Sequence, residues 1–133
     1  MRTLILILLF FLPFTALGQQ WADDEQLDKI INSKEAFGDD ESSINVVEFW
    51  AKFNEVNAFP DWDKLQGVQY YRVDIAKAPK AKKEYRVRMA PTIIIFKDGV
   101  NEESFKAGLD LECPVDLSEL QNTIQEVKEA SAF

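Results

Sequence analysis

Two short apolar runs constrain this chain more than anything else in it. Ile44 to Trp50 and Thr92 to Phe96 are rich in β-branched and aromatic residues and show little polar alternation. A strand with one wet face alternates, whereas a strand covered on both faces reads as a continuous apolar run. Both runs are therefore predicted as central strands. Central strands need helices layered on each side of their sheet, so the fold class is α/β.

The other segments can supply those layers. Asp24 to Phe37 carries Leu27, Ile30 and Ile31 at helical spacing, with Asp23 or Asp24 as its cap. Gly38 to Ser43 reads as a polar, acidic loop. Asn54 to Gln66 is predicted as a helix with Phe59, Trp62 and Leu65 on one face; Pro60, lacking an N–H, must sit in its first turn or kink it. Val68 to Ile75 reads as a strand and Pro79 to Tyr85 as a short basic helix opened by its proline. Asp98-Gly99 predicts a hairpin turn into an edge strand from Glu102 to Ala107. Asp116-Leu117-Ser118-Glu119 has the form of a capping box, and Leu117, Leu120, Ile124 and Val127 give the last helix one apolar stripe. The order is helix, strand, helix, strand, helix, strand, strand, helix. It implies a central mixed sheet of about four strands flanked by helices on both faces.

The first eighteen residues stand outside that pattern. Met1-Arg2-Thr3 is a short basic start, Leu4 to Leu12 is unbroken apolar sequence, and Ala16-Leu17-Gly18 offers small residues at a cleavage site. Nine apolar residues are too few for a lasting span, which needs about 20. The expectation is a signal peptide over 1–18 and one domain over 19–133, exported to the periplasm or the extracellular space, with no membrane span after cleavage. Loss of Arg2 takes the formal net charge from −8 to −9. Nucleic acid and anionic lipid both demand a cationic face, so neither is an expected partner.

Two absences narrow the chemistry. The chain has no histidine, which removes the usual general base and the commonest zinc ligand together. Its only cysteine, Cys113, cannot form an internal disulfide. Nothing calls for a metal or a cofactor. Lys77, Lys80, Lys82, Lys83, Arg86 and Arg88 crowd into twelve residues. They form either a solvated helix face or a docking patch for an acidic partner.

Several separate pieces share one frame: Phe49-Trp50-Ala51, Val73-Asp74, Tyr85-Arg86-Val87-Arg88, Ala90-Pro91-Thr92, Phe96-Lys97-Asp98-Gly99 and Gly108. In order and spacing this frame resembles the thioredoxin family, over about residues 25 to 129. The resemblance implies the thioredoxin fold and a cis peptide before Pro91. In active members the tryptophan is followed by Cys-x-x-Cys, the dithiol that does the chemistry. Counted forward from Trp50, those two positions fall on Asn54 and Asn57, and the stretch Ala51 to Phe59 holds no sulfur. Dithiol exchange is then impossible here, because asparagine forms neither thiolate nor mixed disulfide.

The resemblance leaves open what the retained positions do. Asn54 is either a helix cap or a polar contact point for a partner. Glu48 stands where active members keep a buried carboxylate, and is either buried with a partner or turned to solvent. Pro91 is kept for structure alone, or for a groove that still pairs with a peptide strand. Cys113 is buried and inert, bridged to another chain, or a free surface thiol.

Two functions follow. The first is a redox-inactive, exported domain that binds a protein or peptide, or serves as a subunit of an envelope assembly. Its surface would be Trp50, Phe53, Asn54, Val56, Ala90, Pro91 and the loop carrying Cys113. The second is a monothiol oxidoreductase or isomerase working through Cys113. Against it stand the position of that thiol and its acidic neighbours Asp110 and Glu112.

Overall fold

The computed structural model describes residues 20–32 and 44–130. The leader, the residue expected to begin the mature chain, the tail of the predicted first helix and the acidic loop lie outside the described residues.

The sheet grows outward from the two apolar runs. β2 (Ile44–Trp50) pairs in parallel with β3 (Gln69–Asp74) and antiparallel with β4 (Thr92–Lys97). β5 (Val100–Lys106) closes one edge antiparallel to β4. Asp98 and Gly99 both have positive φ, 51° and 86°, which is the geometry of a two-residue hairpin turn with matching strand twist. The opposite edge holds a fifth strand that the sequence reading omitted. β1 (Gln20–Trp21) runs parallel to β3, giving the order β1-β3-β2-β4-β5. Two residues carry no periodicity, so β1 is visible only once β3 is there to receive it.

Successive residues of β2 and β4 point to opposite faces. Val47, Phe49, Ile94 and Phe96 enter one core with Leu27 and Ile31 of α1 (Asp24–Ile31) and Ala81 of α2 (Pro79–Glu84). Val46, Ile93 and Ile95 enter the other with Phe59 and with Leu120 and Ile124 of α3 (Leu117–Ala130). Leu117 and Val127 pack at its margin, completing the predicted stripe. The helix layers thus lie on both faces, as the apolar runs require.

The caps are specific. Asp23, not Asp24, caps α1, taking the Gln26 N–H at 2.9 Å while the Gln26 side chain takes the Asp23 N–H at 3.1 Å. Asp24 caps the next helix instead, accepting the N–H groups of Lys80 and Ala81 at 3.0 and 2.7 Å. One carboxylate therefore docks α1 onto α2. Asp116 accepts the Glu119 N–H at 2.8 Å and opens α3.

The predicted helix from Asn54 to Gln66 does not form. In its place are 3₁₀ turns over Lys52–Asn57 and Trp62–Lys64, joined by extended backbone at Ala58 with ψ 153°. Asn54 itself interrupts the first turn, at φ −125° and ψ 30°. Pro60 is the local cause, since it removes a donor and drives the residue before it out of helical geometry. Phe59 is nonetheless buried, and Trp62 and Leu65 pack beside it. The three apolar side chains share one side, as their spacing predicts, without the helix that the same spacing predicts.

Candidate functional site

The end of β2 delivers Trp50, Ala51 and the first 3₁₀ turn to a junction of three loops. Asn54 is its centre and is only 8% exposed. One amide hydrogen of Nδ2 goes to the Ala90 carbonyl at 2.8 Å, and the other to the Leu111 carbonyl, also at 2.8 Å. Oδ1 accepts from Asn57 Nδ2 at 2.8 Å. The Ala90–Pro91 peptide is cis, and both residues are buried. Asn54 is thus neither a helix cap nor an accessible polar contact point. Ala51 precedes the turn without a side-chain cap, and the Asn54 amide is spent on carbonyls distant in sequence.

Phe59 would be the weak point of a segment without a helix, because its buried backbone groups have no neighbouring turn to bond. Glu48 and Arg72 satisfy both. Glu48, 0% exposed, accepts the Phe59 N–H at 3.2 Å, and Arg72 Nη2 donates to the Phe59 carbonyl at 3.1 Å. Arg72 also grips Glu48 Oε1 through Nη2 at 3.0 Å and Nε at 3.2 Å, and the Tyr70 hydroxyl donates to the same oxygen. Burial raises the Glu48 carboxyl above its ordinary value, against the opposing pull of Arg72 and the bonds from Tyr70 and Phe59. Burial and the Glu48 charge push the Tyr70 phenol up as well. Of the two readings of Glu48, the buried and partnered one holds. The sequence reading missed Arg72 altogether and took Tyr70 for bulk. The available signal was a strand glutamate with an arginine in a strand that could lie beside it, and Glu48 is indeed in register with Arg72.

The remaining residues do not converge on one pocket. Trp50 is half-buried and meets Trp21 edge-on, ring centres 5.0 Å apart at 86°. Phe53 and Val56 project outward at 77% and 88% exposure. Leu109, which sequence reasoning did not single out, is 94% exposed and lies two residues before the Leu111 carbonyl that Asn54 holds. Cys113 is half-buried, its thiol 3.4 Å from the Val115 carbonyl, in a cleft shared with Phe59, Pro60 and Asp61. Burial, with a lesser contribution from Glu48, pushes the thiol up. The expected influence of Asp110 and Glu112 is not the cause; Asp110 is turned to the Glu112 N–H at 3.1 Å. Among the described residues no group of three or more His, Cys, Asp or Glu could hold a metal, and no helix is long and apolar enough to cross a membrane.

This arrangement is set on a known architecture. The fold matches thioredoxin of Schistosoma mansoni with a TM-score of 0.61 at 16% identity, covering 82% of this chain and 98% of that one. Thioredoxin from Halobacterium salinarum matches at 0.59 and 16% identity, over 84% and 91%. Fasciola hepatica thioredoxin matches at 0.57 and 22% identity, over 82% and 98%. No family model matches the sequence. A curated relative, Thioredoxin-2 of Pyricularia oryzae, is 40% identical over 40 residues, a stretch that spans 29% of this chain and 23% of that protein. The chain has the thioredoxin fold. With a single cysteine it lacks the Cys-x-x-Cys motif.

Proposed function

We propose that this protein is an exported thioredoxin-like domain without redox activity that binds a protein partner. The observation carrying the proposal is the Asn54 junction. Where the family's nucleophilic position falls, a neutral amide spends both hydrogens on the carbonyls of Ala90 and Leu111. The Ala90 carbonyl, an acceptor on which a peptide strand could add beside Pro91, already has an internal donor. With one lone pair of that acceptor engaged, recognition on this reading rests on side chains around the junction. Phe53, Val56 and Leu109 are the large apolar ones left in water there, and aromatic and aliphatic anchors commonly dominate interface energy. Export rests on the leader-like pattern of residues 1–18. A role in an envelope assembly is the same reading carried one step further.

The test is a photocrosslinkable side chain placed at Val56 in the native host, with the same group at Glu126 on α3 as control. A discrete adduct from Val56 and none from Glu126 is expected. No adduct, or equal adducts from both, would remove the partner surface from this site.

A further inference from the structure

We propose that the cleft at the C-terminal end of α2 binds an acidic peptide segment of a partner protein. Lys82, Lys83, Arg86 and Arg88 line this cleft of about 580 Å3, with half-buried Ile75 and exposed Pro79 as apolar wall and no carboxylate among the described lining residues. The formal charge of the chain is −8, so four converging cations are a local reversal of sign. Lys64–Asp61 and Arg72–Glu48 are ion pairs between described residues, and none of the four cations takes part in either.

Cations at a helix end have an ordinary use, which is to complement its exposed carbonyls. That accounts for Lys82 and Lys83 in the last turn of α2. It does not account for Arg88, which lies past the helix on the way to Ala90. Nor does it account for Arg86. The Arg86 N–H bonds the Lys83 carbonyl at 3.2 Å and the Val87 N–H bonds the Lys82 carbonyl at 2.9 Å, so Arg86 is the residue that terminates the helix. Its φ is +55°, the left-handed region in which a β-carbon is disfavoured and glycine is the usual occupant. A long cationic side chain stands where the backbone favours none.

The lining selects the class of ligand. Carboxylates suit the lysines and arginines, and Arg can take them two-pronged. Ile75 and Pro79 would go unused by a sugar or an inorganic anion but suit an aliphatic side chain between acidic ones. The cleft also adjoins the loop junction, since the Ile75 N–H bonds the Trp50 carbonyl at 2.9 Å. The inference extends the protein-binding reading, yet its test needs neither Phe53 nor a native partner.

The probe is a short fluorescein-labelled peptide of glutamate and leucine, titrated by anisotropy with the chain from Gln19 to Phe133. Saturable binding is expected, weakening at least about tenfold between about 25 mM and 200 mM salt as screening shortens. Arg86→Gly should weaken binding about tenfold or more while the melting temperature holds or rises, because glycine relieves the left-handed residue. Weakened binding with no fall in melting temperature is what a purely structural arginine could not give. Should Arg86→Gly fail to fold, Lys82→Gln with Lys83→Gln carries the same binding expectation. Unchanged affinity in a folded variant overturns the proposal. So does an all-glutamate peptide binding as well as the mixed one, or a sulfated polysaccharide binding tighter than either.

Discussion

Asn54 holds the Ala90 carbonyl at 2.8 Å across the mouth of the fold, and with the same nitrogen holds Leu111. The Asn54 side chain is a tie between two loops far apart in the sequence. Ties of this kind do structural work that a surface contact does not, and substitution can distinguish the two.

Asn54→Asp keeps shape and removes both donors, setting a carboxylate against two carbonyl oxygens. Leaving buried polar groups unsatisfied costs about 1–3 kcal/mol, and a buried charge adds to it. Urea unfolding at neutral pH should show a loss of at least ~2 kcal/mol. A loss below ~0.5 kcal/mol, the range of an ordinary surface change, would mean the junction is not a tie.

The Glu48–Arg72 pair should be expensive to break from one side. Arg72→Met leaves a buried carboxylate without its cation, a change that typically costs about 3–5 kcal/mol. Adding Glu48→Leu should recover part of that loss. Recovery cannot be complete, because the N–H and C=O of Phe59 then both lose their side-chain partners. Full recovery in the double-mutant cycle would show that the pair does not anchor the irregular segment.

The pH dependence of stability follows from the raised Glu48 carboxyl. The folded group keeps its proton to higher pH than the unfolded one, whose ordinary value is 4.5. Between the two values the native state binds more protons, so its stability falls as pH rises. The contribution is fully present below the unfolded value and is lost as pH climbs through the folded one. Measured against Glu48→Gln, which does not titrate, the native protein should lose relative stability as pH rises from that ordinary value. A relative gain over the same range would reverse the assignment.

Cys113 should be a slow thiol. Burial holds it protonated, and thiolate is the reactive form. Alkylation by iodoacetamide near pH 8 should run at least ~tenfold slower in the folded chain than in urea. Equal rates would make it an accessible, ordinary thiol.

The central strands were legible because burial on both faces leaves an unmistakable apolar run. Asp98-Gly99 was legible because few residues accept its backbone. The helix expected over 54–66 fails at Pro60, which the sequence shows, but what replaces it is visible only in three dimensions. Phe59, Trp62 and Leu65 keep a helical spacing, yet Pro60 denies the helix, and Glu48 and Arg72 supply the bonds that it would have made. Those two residues lie on different strands, and single-strand patterns do not say which strands are neighbours. The Asn54 tie was hidden likewise, since its partners belong to loops far along the chain. Trp21 and Leu109 were overlooked because one sits in a two-residue strand and the other in a turn.

The central claim is that the thioredoxin scaffold here carries no thiol–disulfide turnover. Its most direct test is reduction of insulin disulfides by the chain from Gln19 to Phe133, alone and as Cys113→Ser, with dithiothreitol as electron source. The account predicts precipitation no faster than the protein-free blank for both proteins. Turnover above that blank in the native chain, abolished by Cys113→Ser, would contradict it and make the protein a monothiol enzyme.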